Sequence, residues 1–433
     1  MKIIRVNTDL DFQGSFTLEP GEYVFSDALA EEVRSIGNQR EKGSVEDHDI
    51  LFEYIYREYD GRPLDNRKIF LWRTGGAGDL LFMTSVLRQL KKKYPTSEII
   101  MSCDGRYIDL FVDHPYIDKA IAYPVKLEYL EDADYHLCFE ALIEMNPNAN
   151  KRNAIDMFME KFGLLDTPDD EKIPITGVSK EAIENTDAIF EKEGLKREDF
   201  TVGIQWRVDA PIRHYPSQLL VEVARTLVDY HQAKIVWIGS QHHVGEIQMH
   251  GMSAYRLGES SINLPAHVAS WQDTLAAVAK CDVVLSADSA TLHLAGTYKH
   301  TAEDMESKYQ FNKTTPLVGL YGPFLADQRL SYYKNAVGMT AATACAGCNQ
   351  HGYEPCRLGW PSPCFRALQP DPIVANIMRL MSHLPERTKN KNIAGAEQYK
   401  VSIEEWEQMN ANARKSPFGG DIAVASPLLA TEI

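Results

Sequence analysis

A turn of small residues followed by an acid is the first stretch of this sequence that could do chemistry. Residues 74–78 read TGGAG, and Asp79 follows them directly. The apolar run Ile69–Trp72 before the turn has the length of a buried strand, and apolar side chains recur after Asp79 with helical spacing. A helix that begins at this turn presents free backbone N–H groups, which can bind an anion or another ligand. The alternative is a tight strand-to-helix connection that binds nothing.

Two short motifs in the same half of the chain have competing interpretations. Residues 76–78 supply the first two glycines of G-x-G-x-x-G, but Leu81 stands at the third position. A dinucleotide-dependent dehydrogenase is therefore the less favoured interpretation, although Asp104 ends the next apolar run, where a ribose-binding acid can lie. Asp132 and Asp134 form a D-x-D, the motif of metal-dependent sugar transferases, but they precede a predicted strand instead of ending one. We predict a solvated turn there.

Polar side chains also follow predicted strands in the C-terminal half. A buried strand is predicted over residues 201–206 and another over residues 282–286. In an open parallel sheet, the carboxyl ends of the strands form the edge that binds ligands. Capping of the next helix by Asp288 or Ser289, and packing of His293 under a loop, are the alternatives. The polar residues at these ends include Gln205, Arg213, Asp288, Ser289, Thr291 and His293.

Four of the seven cysteines are close together in the sequence. Cys345, Cys348, Cys356 and Cys364 have the spacing C-x2-C-x7-C-x7-C in a stretch rich in glycine and proline. This spacing suits tetrahedral thiolate ligation of a structural zinc ion, with His351 as a substitute ligand. Reduced thiols that line a compact loop are the main alternative, and disulfides are a weaker one because we expect a cytoplasmic protein.

The elements that must position these residues alternate between strand and helix. Such alternation begins at Lys68 and resumes at Phe200, and it predicts α/β domains with parallel sheets covered on both faces. A polar stretch with prolines at both ends, residues 168–174, is the predicted linker. The predicted divisions are an N-terminal add-on module over 1–67, a first domain over 68–170, a second domain over 175–385 that includes the Cys-rich loop 345–364, and a C-terminal extension over 386–433.

Composition excludes several classes of protein. The chain has 433 residues, 44% of them apolar, and a formal net charge of −16. That charge disfavours a nucleic-acid groove or an anionic membrane surface as the main partner. No apolar run is long enough to span a membrane, and the N-terminus lacks a signal-peptide pattern. We therefore expect no transmembrane segment, no nucleic-acid partner and a cytoplasmic location.

Five ordered motifs resemble the heptosyltransferase-like family of sugar transferases, glycosyltransferase family 9. Each motif is weak alone, but their shared order between residues 68 and 380 is a specific signal. The motifs are RTGGAGD at 73–79, PYID at 115–118, RHYP at 213–216, DSATLHLA at 288–295 and TPLVGLYGP at 315–323.

The resemblance implies the GT-B architecture, in which two Rossmann-like domains face each other across a cleft. It implies an inverting, metal-independent transfer of a sugar, such as a heptose, from a nucleotide-sugar donor such as ADP-heptose. The acceptor hydroxyl belongs to an unidentified glycan, lipid or protein. No cofactor is required for catalysis, and any zinc would be structural.

The resemblance also assigns roles to residues of this sequence. Asp79 matches the family's general base, and the acceptor lies against the glycine turn. Arg213 stands where the family commonly has lysine and would stabilise the departing diphosphate. The acceptor-side glycines are Gly75, Gly76 and Gly78, and the donor-binding residues are Gln205, Arg213, Asp288, Ser289, Thr291 and His293.

Some features depart from the family pattern. Ala290 replaces the glycine of the donor loop, and residues 297–314 form an insertion that we expect to be a surface loop.

The alternative function is a non-catalytic GT-B-like binding or structural module, of the kind that a phage assembly could use. A blocked cleft would favour that alternative.

Overall fold

The computed structural model of the chain describes residues 1–12, 16–40, 42–149, 151–253, 257–302, 306–348, 350, 354–402 and 404–405. The strands are β1 (Lys2–Val6), β2 (Leu10–Phe12), β3 (Phe16–Leu18), β4 (Gly21–Phe25), β5 (Val45–Asp47), β6 (Lys68–Trp72), β7 (Glu98–Asp104), β8 (Lys119–Tyr123), β9 (Val125–Lys126), β10 (Tyr135–Cys138), β11 (Ile175–Gly177), β12 (Thr201–Gln205), β13 (Lys234–Ile238), β14 (Ser261–Asn263), β15 (Val283–Ala287), β16 (Tyr298–His300), β17 (Leu317–Tyr321) and β18 (Ala336–Thr340).

The α-helices are α1 (Asp27–Arg40), α2 (Phe52–Ile55), α3 (Ala77–Lys93), α4 (Glu128–Glu131), α5 (Ala154–Glu160), α6 (Lys180–Lys192), α7 (Ser217–His231), α8 (Val244–Glu246), α9 (Trp271–Lys280), α10 (Ala290–Gly296), α11 (Asp327–Leu330), α12 (Pro363–Ala367), α13 (Pro370–Ser382) and α14 (Pro385–Thr388). No helix within the described ranges is long and apolar enough to cross a membrane.

A four-stranded parallel sheet organises the first half of the chain. Its strand order is β10-β6-β7-β8, so β6 lies inside the sheet and the glycine turn follows its carboxyl end. Helix α3 buries Leu80, Leu81 and Leu87 against one face of this sheet, while its last turn carries lysines that complement the helix dipole. The predicted strand–turn–helix is confirmed, with α3 beginning two residues before Asp79.

The opposite face of this sheet is covered by the N-terminal segment. Strands β5, β1, β4 and β9 form an antiparallel sheet, and β9 comes from residues inside the first predicted domain. Ile3 and Val24 pack with Phe70 and Trp72 in one apolar cluster. Strands β3 and β4 are separated by only two residues but belong to different sheets, because β3 pairs with β2 and β4 pairs with β1.

A six-stranded parallel sheet organises the second half, with the order β14-β13-β12-β15-β17-β18. Helices α7 and α13 pack on one face, where Val223 and Ile377 belong to the same buried cluster. Helices α9 and α10 pack on the other face through residues such as Leu275 and Leu292. The sheet is thus covered on both faces, as the near-continuous apolar strands predict.

Among its described residues, the insertion 297–314 is only in part the expected surface loop, because its two ends are buried. Strand β16 pairs in parallel with β11, and Thr297, Lys299 and Asn312 are buried. The Lys299 ammonium donates to the carbonyl oxygens of Ala295 and Thr297 at 3.0 and 3.1 Å, and burial lowers its pKa well below the usual range. The ends of the insertion can be buried because their polar side chains are satisfied by buried backbone carbonyls.

Candidate functional site

A cleft of about 860 Å³ lies between the two parallel sheets. Asp79 and the glycine turn line it from the first half of the chain, and Gln205, Arg213 and Asp288 line it from the second half. Because each of these residues follows or ends a parallel strand, the cleft lies where α/β sheets bind ligands.

The glycine turn brings the Asp79 carboxylate back over its own backbone. Gly76 precedes α3 with φ +77°, and a Cβ placed on it would lie 2.5 Å from Oδ2 of Asp79. A residue with a side chain would therefore be strained at Gly76 and would displace the carboxylate. A Cβ placed on Gly75 would instead have no heavy atom within 4 Å beyond its chain neighbours.

A buried guanidinium holds the Asp79 carboxylate. Arg73 follows β6 directly and its side chain is only 4% exposed. Its Nη2 donates to Oδ2 of Asp79 at 2.6 Å and to Oε1 of Glu144 at 2.8 Å. Burial opposes the charge of Arg73, but the two carboxylates raise the pKa of the guanidinium above its usual value.

The loop after β10 completes this wall of the cleft. Glu140 accepts a hydrogen bond from the backbone of Thr74, and Ile143 and Glu144 line the cleft. Ala141 has φ +56°, a left-handed conformation that residues with side chains seldom adopt. The loop is thus held in a specific shape beside Asp79.

The second wall centres on one buried carboxylate. The Asp288 side chain is 5% exposed, and Nη1 of Arg213 lies 3.0 Å from its backbone oxygen and 3.5 Å from Oδ2. Nε2 of His293 lies 3.4 Å from Oδ1, and Nε of Arg329 lies 3.9 Å from Oδ2. Burial disfavours the carboxylate, but His293, Arg329 and Arg213 together hold the pKa of Asp288 well below its usual range.

The two walls touch at His293. Its ring packs edge-on against Phe82 of α3, with centroids 4.5 Å apart, and a Cβ on Gly78 would lie 2.8 Å from its Cδ2. The hydroxyl of Tyr333 lies 3.0 Å from Nδ1 of the same ring. His293 therefore packs against helix α3 of the first wall, and not under a loop. Position 78 needs a glycine because a Cβ there would collide with the His293 ring.

The remaining predicted donor-side residues lie together at the same edge. The Thr291 hydroxyl donates to the amide oxygen of Gln205, and Ser289 Oγ lies 2.8 Å from Ser286 Oγ. Ser289 occupies the N-cap position of α10 without a side-chain capping hydrogen bond. Gln205, Arg213, Asp288, Ser289, Thr291 and His293 all line the cleft.

Sequence reasoning missed several charged residues of the site, among them Arg73, Arg329 and Glu144. Arg73 could have been found from its position directly after a buried strand, and Arg329 from the strand β17 that precedes its short helix. Glu144 carries no local signal, because only the tertiary fold brings it to Arg73. Arg329 is 7% exposed and its guanidinium stacks over the Phe324 ring at 4.9 Å.

The Cys-rich loop lies close to the second wall. Ser362 donates to the backbone oxygen of Ile212 at 3.1 Å, and Trp360 packs edge-on against His214 at 5.3 Å. Burial, followed by the nearby thiols of Cys345, Cys356 and Cys348, raises the pKa of Cys364 to about 11.

The zinc site stays a prediction. All four clustered cysteines lie within the described residues, and each is a free thiol in the structure. The structure therefore does not support the disulfide alternative. Among the described residues, no group of three or more His, Cys, Asp or Glu side chains is arranged to hold a metal ion. His351, the substitute ligand, lies outside the described residues, as does most of the predicted C-terminal extension.

The D-x-D carboxylates lie away from the cleft lining. Asp132 pairs with Lys68 and is 65% exposed, and Asp134 pairs with Arg67 at 2.8 Å. Both lie beside the amino end of β6, opposite the end that carries the glycine turn. This is the arrangement of a solvated turn, as predicted.

Comparison with solved structures identifies the fold. A crystal structure of a glycosyl transferase family 9 protein from Veillonella parvula superposes with a TM-score of 0.55 at 14% identity, over 74% of this chain and 99% of that one. The structure of E. coli ADP-heptose lps heptosyltransferase II superposes with a TM-score of 0.50 at 17% identity, again over 74% and 99%. No protein-family model matches the sequence, and no curated protein matches it either. The predicted fold class, two Rossmann-like units arranged as in these GT-B-like structures, is confirmed, whereas the N-terminal add-on module stays a prediction.

Proposed function

We propose that this chain is a glycosyltransferase of the heptosyltransferase-like family 9, which moves a sugar from a nucleotide-sugar donor to an acceptor hydroxyl with inversion. One observation carries the proposal: a carboxylate and a group of guanidinium side chains line the same cleft from opposite sides. The carboxylate is that of Asp79 at the start of α3, and the guanidinium groups surround Asp288. One fold neighbour is an ADP-heptose heptosyltransferase by name, so ADP-heptose is the first donor to test.

The donor diphosphate would bind along the second wall. Arg213 and Arg329 offer planar, permanently charged donors that bind phosphate oxygens in pairs. Both side chains are oriented beforehand by Asp288, so little reorganisation is needed when negative charge develops on the leaving diphosphate. Two guanidinium groups supply the positive charge that a divalent metal supplies in other transferases, and we propose that no metal takes part.

The acceptor would bind against the glycine turn on the first wall. Asp79 takes the proton of the acceptor hydroxyl as the hydroxyl oxygen attacks the anomeric carbon. The bond from that carbon to the diphosphate oxygen breaks, and its electron pair leaves with the nucleoside diphosphate. Attack from the first wall and departure toward the second wall place the two oxygens on opposite faces of the sugar, which inverts the anomeric configuration. Asp79 then returns the proton to water.

A thermal-shift panel of nucleotide sugars tests the proposal. We expect ADP-heptose, or one other nucleotide sugar, to raise the melting temperature, because a ligand that binds only the folded state stabilises it. Slow release of the nucleoside diphosphate in the absence of an acceptor should accompany binding. The matched control is Arg197→Met, an exposed arginine outside the cleft lining, which should respond as the parent does. Binding without any hydrolysis or transfer would favour the non-catalytic alternative, and absence of binding would contradict the proposal.

A further inference from the structure

Arg73 is fixed by more contacts than an ion pair with Asp79 requires. Its Nη1 donates to the backbone oxygen of Phe139 at 2.8 Å, and its Nε donates to the backbone oxygen of Gly75 at 3.1 Å. Glu144 accepts from Nη2. Three partners other than Asp79 therefore set the plane of the guanidinium, and the guanidinium in turn sets the position of Asp79.

The ion pair uses only one oxygen of Asp79. Oδ2 accepts from Nη2 of Arg73, and no hydrogen bond to Oδ1 occurs among the described residues. The Asp79 side chain is 25% exposed, and it lines the cleft. The contact of Arg73 with one oxygen thus leaves the other oxygen outside the pair, on a side chain that lines the cleft.

We propose that Arg73 is a positioning residue, which holds Oδ2 of Asp79 so that Oδ1 receives the acceptor proton. This inference rests on the proposed function, since it needs Asp79 to act as the base. Arg73 is buried behind the two cleft carboxylates and does not itself reach the reacting atoms. Its effect on turnover must therefore pass through Asp79.

A double-mutant cycle of Arg73→Met and Asp79→Asn tests the inference. Arg73→Met should lower turnover about 10- to 100-fold, the loss that a displacement of about 1 Å causes in a catalytic group. The double variant should be no slower than Asp79→Asn, within about twofold, because a positioning residue has nothing left to position. Donor affinity, measured by calorimetry, should be unchanged in both single variants.

Two further variants separate positioning from folding. Arg73→Lys keeps the charge without the planar fork, so its turnover should lie between those of the parent and Arg73→Met. Arg67→Met removes an exposed arginine that pairs with Asp134 near the opposite end of β6, and its turnover should equal that of the parent. If Arg73→Met does not fold, the cycle is run with Arg73→Lys.

The outcomes distinguish this inference from the proposed function. A parent protein that neither binds nor hydrolyses any nucleotide sugar overturns both. A parent that turns over its donor, together with an Arg73→Met variant of equal turnover, overturns the positioning role alone. Multiplicative losses in the double variant also overturn it, because they would show that Arg73 acts independently of Asp79.

Discussion

The two walls of the cleft use opposite arrangements of charge. On the first wall one guanidinium, Arg73, is shared by two carboxylates, Asp79 and Glu144. On the second wall one carboxylate, Asp288, is shared by two guanidinium groups and an imidazole. On each wall the shared, central group is the buried one: the Arg73 side chain is 4% exposed and the Asp288 side chain is 5% exposed.

The difference indicates how one cleft can serve two reactants. Carboxylate oxygens in excess on the first wall can accept a proton, whereas N–H donors in excess on the second wall can bind an anion. The buried Arg73 and Asp288 side chains hold the oppositely charged groups around them in place before any substrate binds. Replacement of a charged residue on the first wall should therefore slow proton transfer without weakening donor binding. Replacement of one on the second wall should weaken donor binding without affecting the base.

The largest expected effect is that of Asp79→Asn. Asparagine keeps the shape and polarity of the side chain but cannot take the proton, so turnover should fall by about two to four powers of ten while donor affinity stays the same. Nucleotide-sugar hydrolysis measures turnover, and calorimetry measures affinity. Asp132→Asn, at an exposed carboxylate of the D-x-D, is the control and should retain full turnover. Equal turnover in Asp79→Asn and the parent would show that Asp79 is not the general base.

Gly76→Ala should have the next largest effect. Its Cβ would lie 2.5 Å from Oδ2 of Asp79 at a backbone angle that alanine seldom adopts, so turnover should fall by up to about 100-fold with donor affinity retained. Gly75→Ala is the matched comparison, because open space surrounds that position and its loss should be smaller. Similar losses in the two variants would contradict the close approach of Asp79 to Gly76.

Arg329→Met should affect the second wall alone. Loss of one charge-assisted contact to the diphosphate should weaken donor binding about 10- to 100-fold. Arg213→Ala should do the same and also slow departure of the diphosphate. Calorimetric titration of the donor measures both, with Arg197→Met as the surface control. Unchanged affinity in Arg329→Met would remove Arg329 from the donor site.

Acid should weaken the buried contact between His114 and strand β11. His114 donates from Nε2 to the backbone oxygen of Ile175 at 2.9 Å and accepts at Nδ1 from the backbone of Tyr116, which requires a neutral ring. Burial lowers the pKa of His114 to about 4, so the unfolded chain binds this proton first as the pH falls. Stability should be highest above about pH 6.5 and should drop by about 2 kcal/mol between pH 7 and pH 5. Urea unfolding should show a smaller drop in His114→Gln, and an equal drop would contradict the assignment.

The smallest expected effect on turnover is that of metal removal. If the zinc prediction holds, protein purified without chelator should contain about one equivalent, as a four-thiolate site requires, and Cys348→Ser should lose it. Elemental analysis measures both. Turnover should change little, because we assign no catalytic step to a metal. Protein without metal would exclude the site.

Local patterns in the sequence were sufficient for strands β6, β12 and β15, for helix α3 and for the polar residues that follow these strands. Asp79 and Asp288 were predicted as site residues because each directly follows a strand-and-turn pattern, and the structure places both in the cleft. Glu144 was missed because its partner lies 71 residues away in the chain. The buried ends of the insertion were missed because polar composition does not reveal that backbone carbonyls satisfy Lys299.

The sheet of the N-terminal segment has a consequence for how the molecule unfolds. Ile3 and Val24 share an apolar cluster with Phe70, Trp72 and Ile100, and β9 completes the edge of their sheet. The first 67 residues therefore replace the layer of helices that usually covers the second face of a parallel sheet. Cleavage before Lys68 would open that cluster to water, and the remaining chain would be prone to aggregate. The first half of the chain thus folds as one unit that includes the N-terminal segment, although that segment does not line the cleft.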